Sequence, residues 1–286
     1  MATAVIKDHA SQKRRNFISK FLIYFFLIVI TACMLLPFLW MLSSSFKLNK
    51  DVFGFPIQWI PKNPRWQNYV DIWTQIPLLT FVKNTVKITV VVTLLQLFTS
   101  SFAAYAFAKM QFKGKNALFL GYIATIAVPW QAYMVPQFMM MSSWHLNNTH
   151  LAIMCLQAFS AFGVFLMKQF SETIPTEILE AARVDGAGEL RTFITVVFPM
   201  IKPGIGALAI FTFVNTWNDY FLQLVMLTSK ESWTLPLAIA NLQGEMSTDF
   251  GLIMAGAALA SIPIIIVFVA FQKYFTQGIA MGAVKG

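Results

Sequence analysis

Long apolar blocks separated by short polar segments make up most of the 286-residue chain. A helix that crosses the hydrocarbon core of a bilayer needs about 20 consecutive, mainly apolar residues. Six blocks reach that length, at residues 17–42, 81–110, 117–141, 151–170, 204–227 and 252–275. The pattern therefore predicts an all-α polytopic membrane protein with six transmembrane helices.

The composition excludes a water-soluble domain. Only 12% of the residues are charged and 57% are hydrophobic, with a mean hydropathy of +0.64, whereas soluble domains are about 25% charged. A disordered chain is excluded too, because disorder requires low hydrophobicity.

The net charge of +9 has two interpretations, a nucleic-acid surface or the positive-inside rule. Lysines and arginines fall between the apolar blocks instead of gathering on one polar face, which favours the membrane interpretation and no nucleic-acid partner. With the N-terminus in the cytoplasm, fourteen of these cations lie inside and seven outside. We therefore predict a multi-pass protein of the cytoplasmic membrane with both termini cytoplasmic.

This topology predicts five parts. They are a cytoplasmic tail (1–16), a first transmembrane helix (17–42), an extracytoplasmic loop (43–80), a five-helix core (81–275) and a cytoplasmic C-terminal tail (276–286). The aromatic residues of the first loop suit either the headgroup belt or a partner protein. A second outer loop, 228–250, is polar and could contact a soluble protein.

The inner connection at 171–202 has the pattern of helix, turn and helix. Thr173 is a candidate N-cap, Gly186 suits a turn with positive φ, and Pro199 is expected to end the second helix. One narrow face of the first helix is made largely of small side chains; it carries Ile178, Ala181, Ala182 and Asp185. Such a face can pack under the protein's own bundle or dock a partner closely.

Within this loop, Glu180-Ala181-Ala182, Gly186 and Pro199 follow the spacing E-A-A, three residues, G, then P thirteen residues after G. This run resembles the EAA signature of ABC-importer permeases, with Val196 and Phe198 at positions where the signature has Ile and Leu. The resemblance implies a type I ABC-importer transmembrane domain with a cytoplasmic coupling helix. The implied contacts with the ATPase are Glu180, Ala181, Ala182, Asp185, Gly186 and Pro199.

Further motifs narrow the resemblance to maltose-type carbohydrate permeases, specifically the shorter permease of the pair. They include the segments 37–40, 45–47, 104–109, 217–218, 234–236 and 277–286. The resemblance implies a second permease subunit, two ATP-binding subunits, an extracytoplasmic solute-binding protein and a sugar substrate. It also places segment 228–250 near the binding protein and the last nine residues between the ATPases.

The chain contains no phosphate-binding G-x4-G-K-[ST] loop. ATP and Mg²⁺ are therefore expected on the partner ATPases, and no cofactor is expected on this chain. An enzyme is disfavoured because no catalytic constellation lies inside the predicted spans, and the two cysteines form no metal cluster. We predict a transport subunit with neither catalytic nor metal-binding residues, surrounded by membrane lipid.

Polar residues inside spans are costly and usually face a cavity or another helix. The candidates for the translocation pathway are Asn215, Trp217, Asn218, Asp219 and Tyr220. Asp219 lies roughly 22 Å from Gly204 if the helix is continuous, and bridging between helices is the alternative role. Pro129 and Pro136 predict a break in the third span.

The pathway cluster has no Lys or Arg to hold a phosphate, which favours neutral sugars. A polyol or glycerol phosphate is the alternative within the same importer class. A secondary transporter is disfavoured, because such proteins usually show internal repeats and intramembrane coupling charges.

Overall fold

The computed structural model describes residues 2–245 and 249–283, and its regular elements there are all helical. The helices of the first half are α1 Ala2–Ser44, α2 Asn49–Val52, α3 Gln67–Gln75, α4 Leu78–Lys109, α5 Lys115–Ala124, α6 Met134–Ser143, α7 His150–Leu156 and α8 Ala161–Glu172. Those of the second half are α9 Thr176–Val184, α10 Glu189–Thr192, α11 Phe198–Met200, α12 Lys202–Trp217, α13 Phe221–Met226, α14 Leu235–Glu245 and α15 Phe250–Ala283. The predicted tail 276–286 continues α15 as far as Ala283, and its last three residues lie outside the described part.

Three helices are long and apolar enough to cross a membrane, at Phe17–Ser44, Leu78–Lys109 and Phe250–Lys273. Two bent pairs would each make one more span: α7 with α8, bent by 46°, and the Glu189–Met200 segment with α12, bent by 78°. The described residues thus contain three to five candidate spans. The six-span count stays a prediction.

The predicted third span, residues 117–141, is not one helix. α5 ends at Ala124, two short 3-10 turns follow, and α6 begins only at Met134. Pro129 lies in this break, where its missing N–H removes no helical hydrogen bond. Pro136 does not break a helix, because it lies in the first turn of α6, where an N–H has no intrahelical partner.

The predicted fourth and fifth spans are interrupted as well. α7 ends at Leu156 and α8 begins at Ala161, while α12 ends at Trp217 and α13 begins at Phe221. Asp219 therefore lies in a helix break, and the distance of roughly 22 Å predicted for a continuous helix does not apply.

The predicted outer loop 228–250 is not simply a loop. Its middle forms α14, where Leu235, Leu237 and Leu242 are buried. This helix is fixed by apolar packing, so the surface that the segment offers to a soluble partner is smaller than its polar composition suggests.

The chain forms two compact units, Met1–Ile72 with Thr248–Ala258 and Trp73–Ser247 with Leu259–Gly286. In the first unit, the buried Asn68 amide donates to the carbonyls of Ser45 and Lys47, both at 2.9 Å. These bonds tie α3 to the chain that leaves the C-terminal end of α1.

In the second unit, α4 passes two apolar clusters. One contains Ile88, Val92, Met141, Ala152, Ile153, Met154, Leu222, Met226, Leu227 and Leu237. The other contains Ala104, Tyr105, Met167, Phe170, Ile174, Leu179, Phe193, Val197, Ile201 and Leu208. Between them along α4 lie Gln96 and Thr99, so a polar layer separates two packed apolar layers.

Close packing of α4 on α8 gives a test of this arrangement. A Cβ added to Gly163 of α8 would clash with Ser100 Oγ of α4. We expect Gly163→Ala to cost about 1–3 kcal/mol through overpacking, seen as a lower Tm of the detergent-purified protein. Gly121→Ala on α5 is the matched control, because nothing lies within 4 Å of its added Cβ. Equal Tm values for the two variants would contradict the tight helix contact.

Candidate translocation cavity and coupling loop

Three helix breaks of the second unit meet at one cavity of about 480 Å³. The breaks fall at residues 125–133, 157–160 and 218–220. The lining residues are Gln96, Trp130, Gln131, Tyr133, Gln137, Leu156, Gln157, Phe159, Ser160, Phe211, Thr212, Asn215, Thr216, Asp219, Phe221 and Leu222. The cavity therefore combines amide groups with aromatic side chains.

α4 compensates for the break between α7 and α8. Gln96 Nε2 donates to the carbonyl of Gln157 at 2.8 Å, and Thr99 Oγ1 donates to that of Ala158 at 2.9 Å. Thr212 Oγ1 of α12 donates to Gln96 Oε1 at 2.9 Å. Carbonyls released by a helix break are thus paired with side chains of a continuous neighbour, which keeps the break stable away from water.

Asp219 joins two of the breaks. Its Oδ2 accepts from Gln157 Nε2 at 2.6 Å, and its Oδ1 accepts from the Leu222 N–H at 3.3 Å at the start of α13. It also lines the cavity and is the only lining residue with a formal charge. Asp219 is thus placed both as a helix-bridging group and as a cavity-wall group.

Of the other predicted pathway residues, one lines the cavity and three do not. Asn215 lines the cavity, although its Nδ2 donates to the Phe211 carbonyl at 2.8 Å. Trp217 is 1% exposed and its Nε1 donates to the Ala260 carbonyl at 3.0 Å, so it packs α12 against α15. Asn218 is exposed and Tyr220 contacts the Phe221 ring; neither lines the cavity.

Gln96, Gln157 and Thr212 are among the polar lining residues that were not predicted from the sequence. Gln96 and Gln157 both lie within predicted apolar spans. The rule that costly intramembrane polar groups face a cavity or another helix would have selected both. Thr212 carries no such signal, because a threonine can bond to its own helix.

The inner connection at 171–202, which is the predicted coupling loop, turns at Gly186, as its sequence predicts. Gly186 has φ +79°, its N–H donates to the Arg183 carbonyl, and the Ala187 N–H donates to the Ala182 carbonyl, both at 3.0 Å. This pair of bonds is the Schellman motif, which closes the C-terminal end of α9 and favours glycine at the turn.

The predicted docking residues lie on an accessible surface. Glu180, Ala181, Asp185 and Gly186 are exposed and Ala182 is half-buried. Leu179 on the opposite side is 1% exposed and belongs to the apolar cluster of Tyr105 and Phe193. α9 is therefore anchored by one face and presents the other.

One detail at the ends of the two loop helices differs from the prediction. Thr173 does not cap α9; its hydroxyl donates back to the Phe170 carbonyl at 2.8 Å, and Pro175 occupies the N-cap position. Pro199 ends the second helix to within one residue, because α10, a π-helical stretch at Phe193–Val197 and α11 run on without interruption to Met200, where the chain bends.

Polar contacts fasten this loop to α4. Tyr105 Oη donates to Glu189 Oε2 at 2.5 Å, and Arg183 Nε donates to Glu189 Oε1 at 3.0 Å. Lys109 Nζ donates to the Ile174 carbonyl at 2.6 Å. The bond to Glu189 raises the pKa of the Arg183 guanidinium. Because Lys109 binds the chain before α9 and Tyr105 binds Glu189, which in turn pairs with Arg183, α4 holds both ends of α9.

Among the described residues, no group of three or more His, Cys, Asp or Glu side chains is arranged to hold a metal ion. That the chain binds no cofactor of its own stays a prediction.

Residues 96–281 match the family of binding-protein-dependent transport system inner membrane components. The chain belongs to this family. The matched region begins at Gln96 and includes the coupling loop and the whole lining of the cavity. The predicted ABC-importer permease and its membrane location are thereby confirmed.

Individual relatives cover nearly the whole length of this permease. It is 36% identical to the melibiose/raffinose/stachyose import permease protein MelC of Bacillus subtilis over 91% of this chain and 95% of the relative. It is 32% identical to the arabinooligosaccharides transport system permease protein AraQ of Halalkalibacterium halodurans, over 87% of this chain and 91% of the relative. The permease also superposes on a chain of a crystallised bacterial ABC transporter that is involved in the import of the acidic polysaccharide alginate. The TM-score is 0.78 at 25% identity, over 92% of this chain and 98% of that chain.

The hydrogen bond from Tyr105 to Glu189 is expected to anchor the predicted coupling loop to α4. Tyr105→Phe removes a hydrogen bond to a charged group, a loss of about 1.5–3 kcal/mol. We expect faster amide exchange in residues 176–192 of the detergent-purified protein. Tyr122→Phe on α5 removes a hydroxyl away from the loop and should leave that exchange unchanged. Unchanged exchange in Tyr105→Phe would contradict the anchoring role.

Proposed function

We propose that this permease forms half of the transmembrane pathway of an ATP-driven importer for neutral oligosaccharides. The observation that carries the proposal is the cavity where three broken helices meet. The relatives named as permeases for melibiose, raffinose, stachyose and arabinooligosaccharides support the substrate class.

The chemistry of the cavity suits an uncharged sugar. Gln96, Gln131, Gln137 and Asn215 offer amide groups for hydroxyls, and aromatic rings such as Trp130 offer faces for stacking. A volume of about 480 Å³ falls in the usual range of small-molecule sites. The lining contains no Lys, Arg or His, so a glycerol phosphate or an acidic sugar would enter without a counter-charge and pay for its desolvation.

The coupling loop suits a docking contact with an ATPase subunit on the cytoplasmic side. Glu180 and Asp185 supply exposed carboxylates, Ala181 and Ala182 allow close approach, and Gly186 fixes the turn. In this assembly, two ATP-binding subunits would hold ATP and Mg²⁺, and a second permease would complete the pathway. An extracytoplasmic solute-binding protein would deliver the sugar, in keeping with the family description.

α4 is the proposed link between docking and transport. It binds the loop through Tyr105 and Lys109, and it supports the helix break through Gln96 and Thr99. Gln96 and Tyr105 are nine residues apart, roughly 14 Å along a helix. A displacement of the loop would thus reach the cavity through one rigid element.

The cavity predicts both substrate class and the role of Asp219. Proteoliposomes of the assembled importer should take up raffinose or an arabinooligosaccharide and not an alginate oligosaccharide. Asp219→Asn weakens the charge-assisted bond from Gln157 and should lower uptake roughly tenfold. Asn218→Ala, beside it but outside the lining, is the control. Selective uptake of the alginate oligosaccharide would refute the neutral class, and wild-type uptake by Asp219→Asn would refute the pathway role.

Substitution of Gly186 tests whether the turn of the loop is needed for coupling to ATP hydrolysis. Gly186→Val forces a β-branched side chain into the left-handed region, at a cost above roughly 1–2 kcal/mol, and should displace the docking face. We expect substrate-stimulated ATP hydrolysis and uptake to fall together in the assembled importer, and likewise in Glu180→Lys. The control is Gly188→Val, where φ is −69° and nothing lies within 4 Å of an added Cβ. Wild-type coupling in both loop variants would show that the loop does not transmit the signal.

A further inference from the structure

A second cavity, in the first unit, has a different chemistry. It measures about 270 Å³ and lies just beyond the C-terminal end of α1. The lining residues are Lys47, Leu48, Lys50, Asp51, Gln58, Pro61, Lys62 and Asn63. Three lysines and one aspartate are therefore among its lining residues, and this excess of positive charge favours an anion.

Lys47 is the unusual member of this lining. It is 3% exposed, and its Nζ has no hydrogen-bond partner among the described residues. The ring of Trp40 lies 4.3 Å from Nζ. Burial lowers the pKa of Lys47, and the Asp51 carboxylate opposes that change only in part. A buried cation of this kind is stabilised by an anion that reaches it.

The position of the cavity indicates which anion is available. The candidate span Phe17–Ser44 ends three residues before Lys47, and none of its most apolar window is buried. The cavity thus lies where a membrane-spanning helix leaves the hydrocarbon core, which is the level of the lipid headgroups.

Exposed apolar side chains flank the cavity. Phe55 is 93% exposed and Ile60 is 85% exposed, and Phe53, Ile57 and Trp59 are each between 47% and 66% exposed. Large apolar side chains beside a cationic site are the combination that suits the interfacial region of a bilayer.

We propose that this cavity binds the phosphate of an anionic phospholipid headgroup. Lys47, Lys50 and Lys62 face the phosphate, and the apolar side chains of residues 53–60 enter the adjoining acyl region. The site is separate from the translocation cavity, so it does not depend on the proposed transport function.

The test is native mass spectrometry of the detergent-purified full chain, titrated with phosphatidylglycerol or phosphatidylcholine. We expect preferential binding of phosphatidylglycerol to the wild type. Lys47→Met keeps the length of the side chain without its charge and should weaken this binding about fivefold or more, given the usual contribution of one lysine near an anionic surface. Lys62→Gln should weaken it as well. Lys113→Gln, an exposed lysine of the other unit, is the matched control and should bind as the wild type does.

Equal binding of the two lipids by the wild type, or phosphatidylglycerol binding by Lys62→Gln that is as tight as in the wild type, overturns the proposal even if Lys47→Met does not fold. Inorganic phosphate is added as a separate probe. If it raises the Tm of the protein in phosphatidylcholine nanodiscs as much as phosphatidylglycerol does, a free anion and not a lipid is the ligand. Loss of affinity for the solute-binding protein without loss of lipid binding would assign the surface to a protein partner instead.

Discussion

The pairing of backbone carbonyls inside the membrane is the constraint on which the second unit depends. A helix that breaks in hydrocarbon leaves carbonyls that only protein or an enclosed cavity can satisfy. Gln96 and Thr99 meet this need for the break between α7 and α8. One helix must stay continuous so that its neighbours can break, and α4, with 32 residues, is that helix.

The placement of these polar groups between two apolar clusters has a mechanical consequence. The clusters are held by non-directional packing, whereas the layer between them is held by a few directional bonds that pass through Gln96, Gln157 and Asp219. Directional bonds can exchange partners with water or sugar hydroxyls at little net cost. Rearrangement is therefore least costly at the level of the cavity, while the two ends keep their packing.

The sequence predicts the positions of the apolar helices and the turn at Gly186, because both follow from local rules of hydrophobicity and backbone conformation. The break after Leu156 has a weaker signal: residues 157–160 contain neither proline nor glycine, and only Ser160, which caps α8, marks the start of a new helix. The side chains that pair the carbonyls of this break lie on α4, 59 and 61 residues away along the chain. Local patterns also assigned Thr173 as a cap, whereas Pro175 occupies the N-cap position of α9.

The charge of the cavity lining differs in sign from that of the rest of the chain. The excess of +9 resides outside the cavity lining, which carries only the Asp219 carboxylate. Lys47, Lys50 and Lys62 line a different cavity, just beyond the end of a candidate span, for which we propose an anionic headgroup. An anionic solute that enters the translocation cavity would lose its counter-ions and approach a carboxylate. A neutral sugar loses only hydrogen bonds, and the amides of the lining replace them.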